Sequence, residues 1–147
     1  MTAQANFHHE SPPCTVWYVE DDDATAHLFQ KALAEENARL RLFRVTNGQD
    51  GLAFLRREGT YVEAPTPDLI VLDINLPKKN GFEVLEEAQQ METLRRVPKV
   101  MFSSSTSAAD RQRAQTLGAH KFLIKDGWDS FVATAKLLCS MLHQESR

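Results

Sequence analysis

The stretch Leu69-Ile70-Val71-Leu72-Asp73-Ile74-Asn75-Leu76-Pro77-Lys78-Lys79-Asn80-Gly81 decides the fold. Four apolar residues run without a break into a carboxylate. A loop rich in Pro, Asn and Gly follows, and then Phe82, Val84, Leu85 and Ala88 recur at helical spacing. A short apolar run of this kind reads as a strand buried on both faces, and the segment after it as the crossover helix of a parallel sheet. The same pattern lies on either side. Val16-Trp17-Tyr18-Val19 runs into Glu20-Asp21-Asp22-Asp23, Val100-Met101-Phe102 into Ser103-Ser104-Ser105-Thr106, and Lys121-Phe122-Leu123-Ile124 into Lys125. In an open parallel sheet, ligands bind at the carboxyl ends of the strands. The fold should therefore gather carboxylates, a hydroxyl and an ammonium into one crevice.

The remaining elements fill the pattern. Strands are expected over 15–19, 40–45, 68–73, from Pro98 through 102, and over 119–124. Asp22 or Asp23 can cap a helix reaching about Asn37, with Leu28, Phe29, Ala32 and Leu33 on one face. Asn47-Gly48 reads as a turn before a short helix over 51–57, and Gly59, Pro65 and Pro67 make 58–68 a loop. A helix over 108–117 ends at Gly118. Asp126 should cap a last helix reaching about His143, with Asp129 as its capping partner. Its inward stripe is Trp128, Phe131, Val132, Ala135, Leu138, Cys139 and Leu142, while Leu137 and Met141 project on the opposite side. Five β-α units with right-handed crossovers give an α/β, doubly wound, five-stranded parallel sheet with helices on both faces.

Composition narrows the function. The 147 residues suit one domain, read as a flexible tail over 1–13 and a folded unit over 14–147. His8 and His9 read as part of that tail. A net charge of −3 argues against nucleic-acid binding. No apolar run reaches the roughly 18 residues of a membrane helix, and no signal-peptide core opens the chain. Two cysteines, Cys14 and Cys139, make no disulfide framework, which suits a reducing cytoplasm.

The chemistry follows from the strand ends. Glu20, Asp21 and Asp73 would lie close enough to repel unless a cation intervenes. Mg²⁺ fits, since it takes oxygen ligands and is held by one or two carboxylates plus phosphate. The backbone carbonyl of Asn75 is a further candidate ligand. Asp73 is the candidate nucleophile, able to accept a phosphoryl group as an acyl phosphate. Lys125 would place a point charge on one phosphoryl oxygen, and Ser103 a hydrogen bond on another. Each piece alone has an ordinary explanation as a cap, a surface lysine or a polar loop. Their joint placement at successive strand ends carries the inference.

From about residue 15 to 142 the chain resembles the receiver domain of two-component response regulators, a flavodoxin-like (βα)5 fold. The family's acidic pair falls on Glu20 and Asp21, its phosphoacceptor on Asp73, its hydroxyl on Ser103 and its lysine on Lys125. The long 58–68 loop and the Leu-Pro-Lys-Lys-Asn-Gly segment look like the stand-alone receivers that partner phytochrome histidine kinases. The resemblance implies a sensor histidine kinase as donor and Phe122 as the aromatic switch position, commonly Tyr in the family. Receivers often pair through their last helices and fifth strand, so Leu137 and Met141 are candidate contacts of a homodimer. Few residues follow the receiver, so its phosphorylated state is expected to be read by another protein, another copy or a kinase taking the group back. Two departures stand out: Phe122 lacks the hydroxyl, and Asp126 replaces a proline that usually follows the lysine across a cis bond. The isomer of the Lys125–Asp126 bond is open at this point.

Three rivals share part of the pattern. A haloacid-dehalogenase-type phosphatase also uses Asp, a hydroxyl and Lys, but needs a second acid where Asn75 stands. A flavodoxin-like FMN binder would need an anion-welcoming loop where Glu20–Asp23 would repel phosphate. A degenerate receiver, acting without phosphorylation, would have little reason to keep all five site residues.

Overall fold

The computed structural model describes residues 13–36 and 39–145. His8, His9 and the Asn37 end of the first helix lie outside these. The described elements alternate: β1 (Cys14–Val19), α1 (Asp23–Glu35), β2 (Leu40–Val45), α2 (Gly48–Arg56), a 3-10 turn (Gly59–Tyr61), β3 (Leu69–Leu72), α3 (Gly81–Gln90), β4 (Lys99–Ser103), α4 (Ala108–Thr116), β5 (Lys121–Ile124) and α5 (Gly127–Glu145). The strands form one parallel sheet in the order β2-β1-β3-β4-β5. This is the doubly wound architecture expected.

The alternation of side chains across each strand divides the core into two layers. Trp17, Val19, Ile70, Leu72 and Met101 face α2, α3 and α4, where Leu52, Phe54, Phe82 and Leu85 meet them. Val16, Tyr18, Leu69, Val71, Val100 and Phe102 face α1 and α5, packing on Phe29, Leu33, Phe131 and Leu138. Burying each large apolar side chain contributes roughly 1.5–3 kcal/mol. Because the strand order reverses at β1, the carboxyl ends of β1 and β3 part to opposite faces and leave a crevice between them.

Several local expectations are corrected. Helix α2 starts at Gly48 rather than residue 51, because Asn47 is a cap and not a turn residue: its side chain accepts from Asp50 N at 2.8 Å. The Lys125–Asp126 bond, open from the sequence, is trans, as a non-proline bond prefers: no peptide bond among the described residues is cis. At the start of α5 the resolved bond runs from Asp126 N–H to Ser130 Oγ at 2.7 Å, so Ser130 supplies the hydroxyl there and not Asp129. Trp128 is exposed rather than inward, 37% accessible, with Lys31 Nζ 5.8 Å from its ring. It follows Gly127, whose φ of +78° swings the chain before the helix settles onto the core. Met141 is half-buried against the α1–α5 core layer, so it does not project outward with Leu137.

Lys99 opens β4 fully buried. Its ammonium donates to Gln89 Oε1 at 2.7 Å, Arg95 O at 3.1 Å and Leu94 O. Burial pulls its pKa down to about 8.

Candidate functional site

Glu20, Asp73 and Lys125 each stand one position past a strand, still held by the sheet, and Ser103 is the last residue of β4. Glu20 N donates to Val45 O and Asp73 N to Val19 O, both at 3.1 Å, and Lys125 N donates to Ser103 O at 2.9 Å. The backbone ladder thus carries the apolar register of the strands into the polar crevice. Glu20 and Asp73 are buried although both are acidic residues, while Asp21 is exposed.

The three carboxylates each offer an oxygen within 4.8 Å of the others. Lys125 Nζ lies 2.5 Å from Glu20 Oε1 and 2.9 Å from Asp73 Oδ2. The ammonium spans 105 residues of chain to reach Glu20 and 52 to reach Asp73. Asp73 Oδ1 accepts from Ile74 N at 2.7 Å and Glu20 Oε2 from Asp22 N at 3.2 Å. Arg44 steadies the acidic loop by donating to Glu20 O at 2.9 Å and pairing with Asp23 at 2.9 Å. Burial raises the pKa of Glu20 despite the Lys125 hydrogen bond and charge, and the nearby Asp73 charge raises it further. Burial and then the Glu20 charge push the Tyr18 hydroxyl up as well, so it stays neutral beside the site. The cluster as a whole carries more carboxylate than ammonium, and an all-oxygen acidic donor set fits a hard divalent cation.

Asn75 is exposed and lines the crevice, together with Ser104. Ser103 does not line it. Its side chain is fully buried, and its Oγ accepts from Ser105 N at 3.2 Å. The structure therefore brings Glu20, Asp21, Asp73 and Lys125 into contact range and holds Ser103 beside them, turned onto its own loop. Phe122 is half-buried on β5, with the Arg111 guanidinium 4.9 Å over its ring.

One positioning residue escaped the sequence reading. Gly81 N donates to Ile74 O at 2.8 Å, and a Cβ at Gly81 would fall 1.9 Å from Asp73 O. The 74–80 loop can fold back beside the acceptor only because this residue has no side chain. The Asn80-Gly81 pair was the available signal, but it read only as the end of a loop.

Comparison with known proteins points to one family. The family model for the response regulator receiver domain matches residues 16–134. The chain is 36% identical over 115 residues to response regulator Rcp1 of Synechocystis sp., covering 78% of each chain. It superposes on the phosphorylated cyanobacterial phytochrome response regulator RcpA with a TM-score of 0.80 at 35% identity, covering 86% of this chain and 91% of that one. The Mn²⁺-bound form of Rcp1 superposes with a TM-score of 0.81 at 32% identity, covering 87% and 93%.

Proposed function

The chain belongs to the response regulator receiver family, and on that premise we propose that it takes a phosphoryl group from the phosphohistidine of a phytochrome-type sensor kinase onto Asp73, with Mg²⁺ held by Glu20, Asp21, Asp73 and the Asn75 carbonyl. The observation that carries this is the reach of Lys125 Nζ to Asp73 Oδ2 and Glu20 Oε1 at once.

An Asp73 carboxylate oxygen attacks phosphorus, the P–N bond to the donor histidine breaks, and the imidazole leaves as the neutral ring after taking up a proton. A divalent cation supplies charge neutralisation for the phosphoryl oxygens. Little covalent assistance is needed, because phosphoryl transfer is governed by positioning and electrostatics. Ile74 N–H holds one acceptor oxygen in place. Lys125 meets the developing phosphoryl charge, and Ser103 turns to donate to a second oxygen. Phe122 then repacks and alters the surface that a partner reads. The same residues support self-catalysed phosphorylation from small donors and slow loss of the group to water.

The other rivals gain nothing here. Asn75 leaves no leaving-group acid for a phosphatase, and the acidic first loop opposes a flavin phosphate. A homodimer through α5 and β5 now rests on Leu137, since Met141 packs inward. Sedimentation of the wild type against Leu137→Asp tests it, and an unchanged mass removes the dimer.

Phosphotransfer assays test the donor. Equal amounts of autophosphorylated phytochrome kinase and chemotaxis kinase are each mixed with this chain and followed by loss of kinase label. Faster transfer from the phytochrome kinase, absent in Asp73→Asn, is expected. Equal rates would remove the phytochrome pairing, and label reaching Asp73→Asn would remove the acceptor.

A further inference from the structure

The loop between β4 and α4 carries a hydrogen-bond ladder that the receiver chemistry alone does not require. Ser105 N donates to Ser103 Oγ at 3.2 Å. Ser105 Oγ donates to Asp110 Oδ2 at 2.6 Å and accepts from Ser107 N at 3.2 Å. Ser107 Oγ accepts in turn from Asp110 N at 3.2 Å and caps the helix. The hydroxyl needed at the phosphoryl group is thus tied, through Ser105, to the first turn of α4.

Helix α4 buries little apolar surface, although the Arg113 guanidinium rests 4.5 Å over the Phe82 ring. Among its nine residues only Ala114 is buried. Polar contacts hold its two ends: the Ser105–Asp110–Ser107 ladder at the start, and Gln89 Nε2 donating to Leu117 O at 2.9 Å just past the finish. With so little apolar burial to fix it, the helix position follows its polar ties. Arg111, next to Asp110, is the residue whose guanidinium covers Phe122.

We propose that the Ser105–Asp110 hydrogen bond is a latch for the resting state, with Asp110 as the positioning residue. While it is closed, Ser105 N–H occupies Ser103 Oγ and keeps that hydroxyl out of the crevice. For Ser103 to reach a phosphoryl oxygen, Ser105 must give it up. The Ser105 side chain then shifts against Asp110 and moves the start of α4, together with the Arg111 cover on Phe122. The latch therefore sets how often the unphosphorylated chain visits the acceptor-competent arrangement. This rests on Asp73 being the acceptor, as proposed above.

The test compares Ser105→Ala, Asp110→Ala, Asp110→Asn and the Ser105→Ala/Asp110→Ala double variant with wild type. The first readout needs no phosphoryl group: the ¹H–¹⁵N resonance of the Ser105 amide in the resting protein. It should move upfield in Asp110→Ala, as its bond to Ser103 Oγ loosens, and stay near wild type in Asp110→Asn, whose amide oxygen still accepts from Ser105. The second readout is the rate of phosphorylation by acetyl phosphate with Mg²⁺. Ser105→Ala and Asp110→Ala should each speed it by roughly three- to tenfold, the range set by loss of one hydrogen bond, and the double variant no more than either single change. Asp110→Asn should restore the wild-type rate. An unmoved Ser105 amide in Asp110→Ala, effects that add in the double variant, or Asp110→Asn behaving like Asp110→Ala would each overturn the latch. A wild-type protein that takes no phosphoryl group at all would instead overturn Asp73 as acceptor, and the amide resonances would still decide the latch.

Discussion

At the scale of single residues, the environment of a side chain decides its role more than its type does. Lys125 and Lys99 are both lysines beside strand ends, yet one faces two carboxylates and the other three neutral acceptors. Lys125 was legible because it ends an apolar run in step with Asp73. Lys99 was not, since a lysine before a strand reads as a surface residue, and its acceptors are two backbone carbonyls and the Gln89 side chain, which only the folded chain brings together. Its pH effect has a definite sign. The ordinary value of 10.5 falls to about 8 in the folded state, so between these pH values the folded chain holds fewer protons than the unfolded one. Stability attributable to Lys99 should rise with pH across that window, and below it the burial penalty is present in full. Urea midpoints of wild type and Lys99→Met, compared from pH 7 to 10.5, should converge or cross in favour of wild type at the alkaline end. Parallel curves would refute the assignment. Gly81→Ala should cost about 1–3 kcal/mol and slow phosphorylation, because the new methyl group displaces the loop from Asp73 O. Calorimetry and donor kinetics on one sample check both effects, and a neutral result would mean the loop has room to spare.

Among elements, strands were read more securely than helix starts. The strands β1, β3 and β5 announce themselves by an apolar run cut off by a charge, and the sheet ladder extends one residue further to hold Glu20, Asp73 and Lys125. Helix starts depend on which of several small polar residues turns its side chain back on the chain. Asn47, Asn80 and Ser107 all cap in this way. At α3 the cap is reciprocal: Asn80 Oδ1 accepts from Glu83 N at 3.0 Å, and Glu83 Oε1 from Asn80 N at 3.1 Å. Asn80→Ala should therefore lower stability by about 1 kcal/mol. It should leave phosphorylation within about twofold of wild type, since Gly81 and its bond to Ile74 O, which hold the loop beside Asp73, are unchanged. Denaturant midpoints measured beside donor kinetics would separate the two, and an equal loss in both would contradict the assignment. Helix α4 shows the limit of periodicity. Its single buried residue gives almost no amphipathic signal, so the ladder that positions it could be found only in three dimensions.

Across the whole molecule, the reversal of strand order at β1 is what turns separated segments into one site. Glu20 and Asp21 come from one side of that point and Asp73 from the other, with Lys125 delivered from the sheet edge two strands away. The arrangement places more carboxylate than cation in a half-closed crevice, so it favours binding a divalent ion before accepting an anionic group. No helix among the described residues is long and apolar enough to cross a membrane. Such a convergence should make Asp73 a cation-dependent phosphoryl acceptor. Intact-mass measurement after incubation with acetyl phosphate, with and without Mg²⁺, tests it most directly. One added phosphoryl group on the wild type with Mg²⁺, none after chelation and none on Asp73→Asn is the predicted result. Equal labelling of wild type and Asp73→Asn, or no labelling of either in the presence of Mg²⁺, would contradict it.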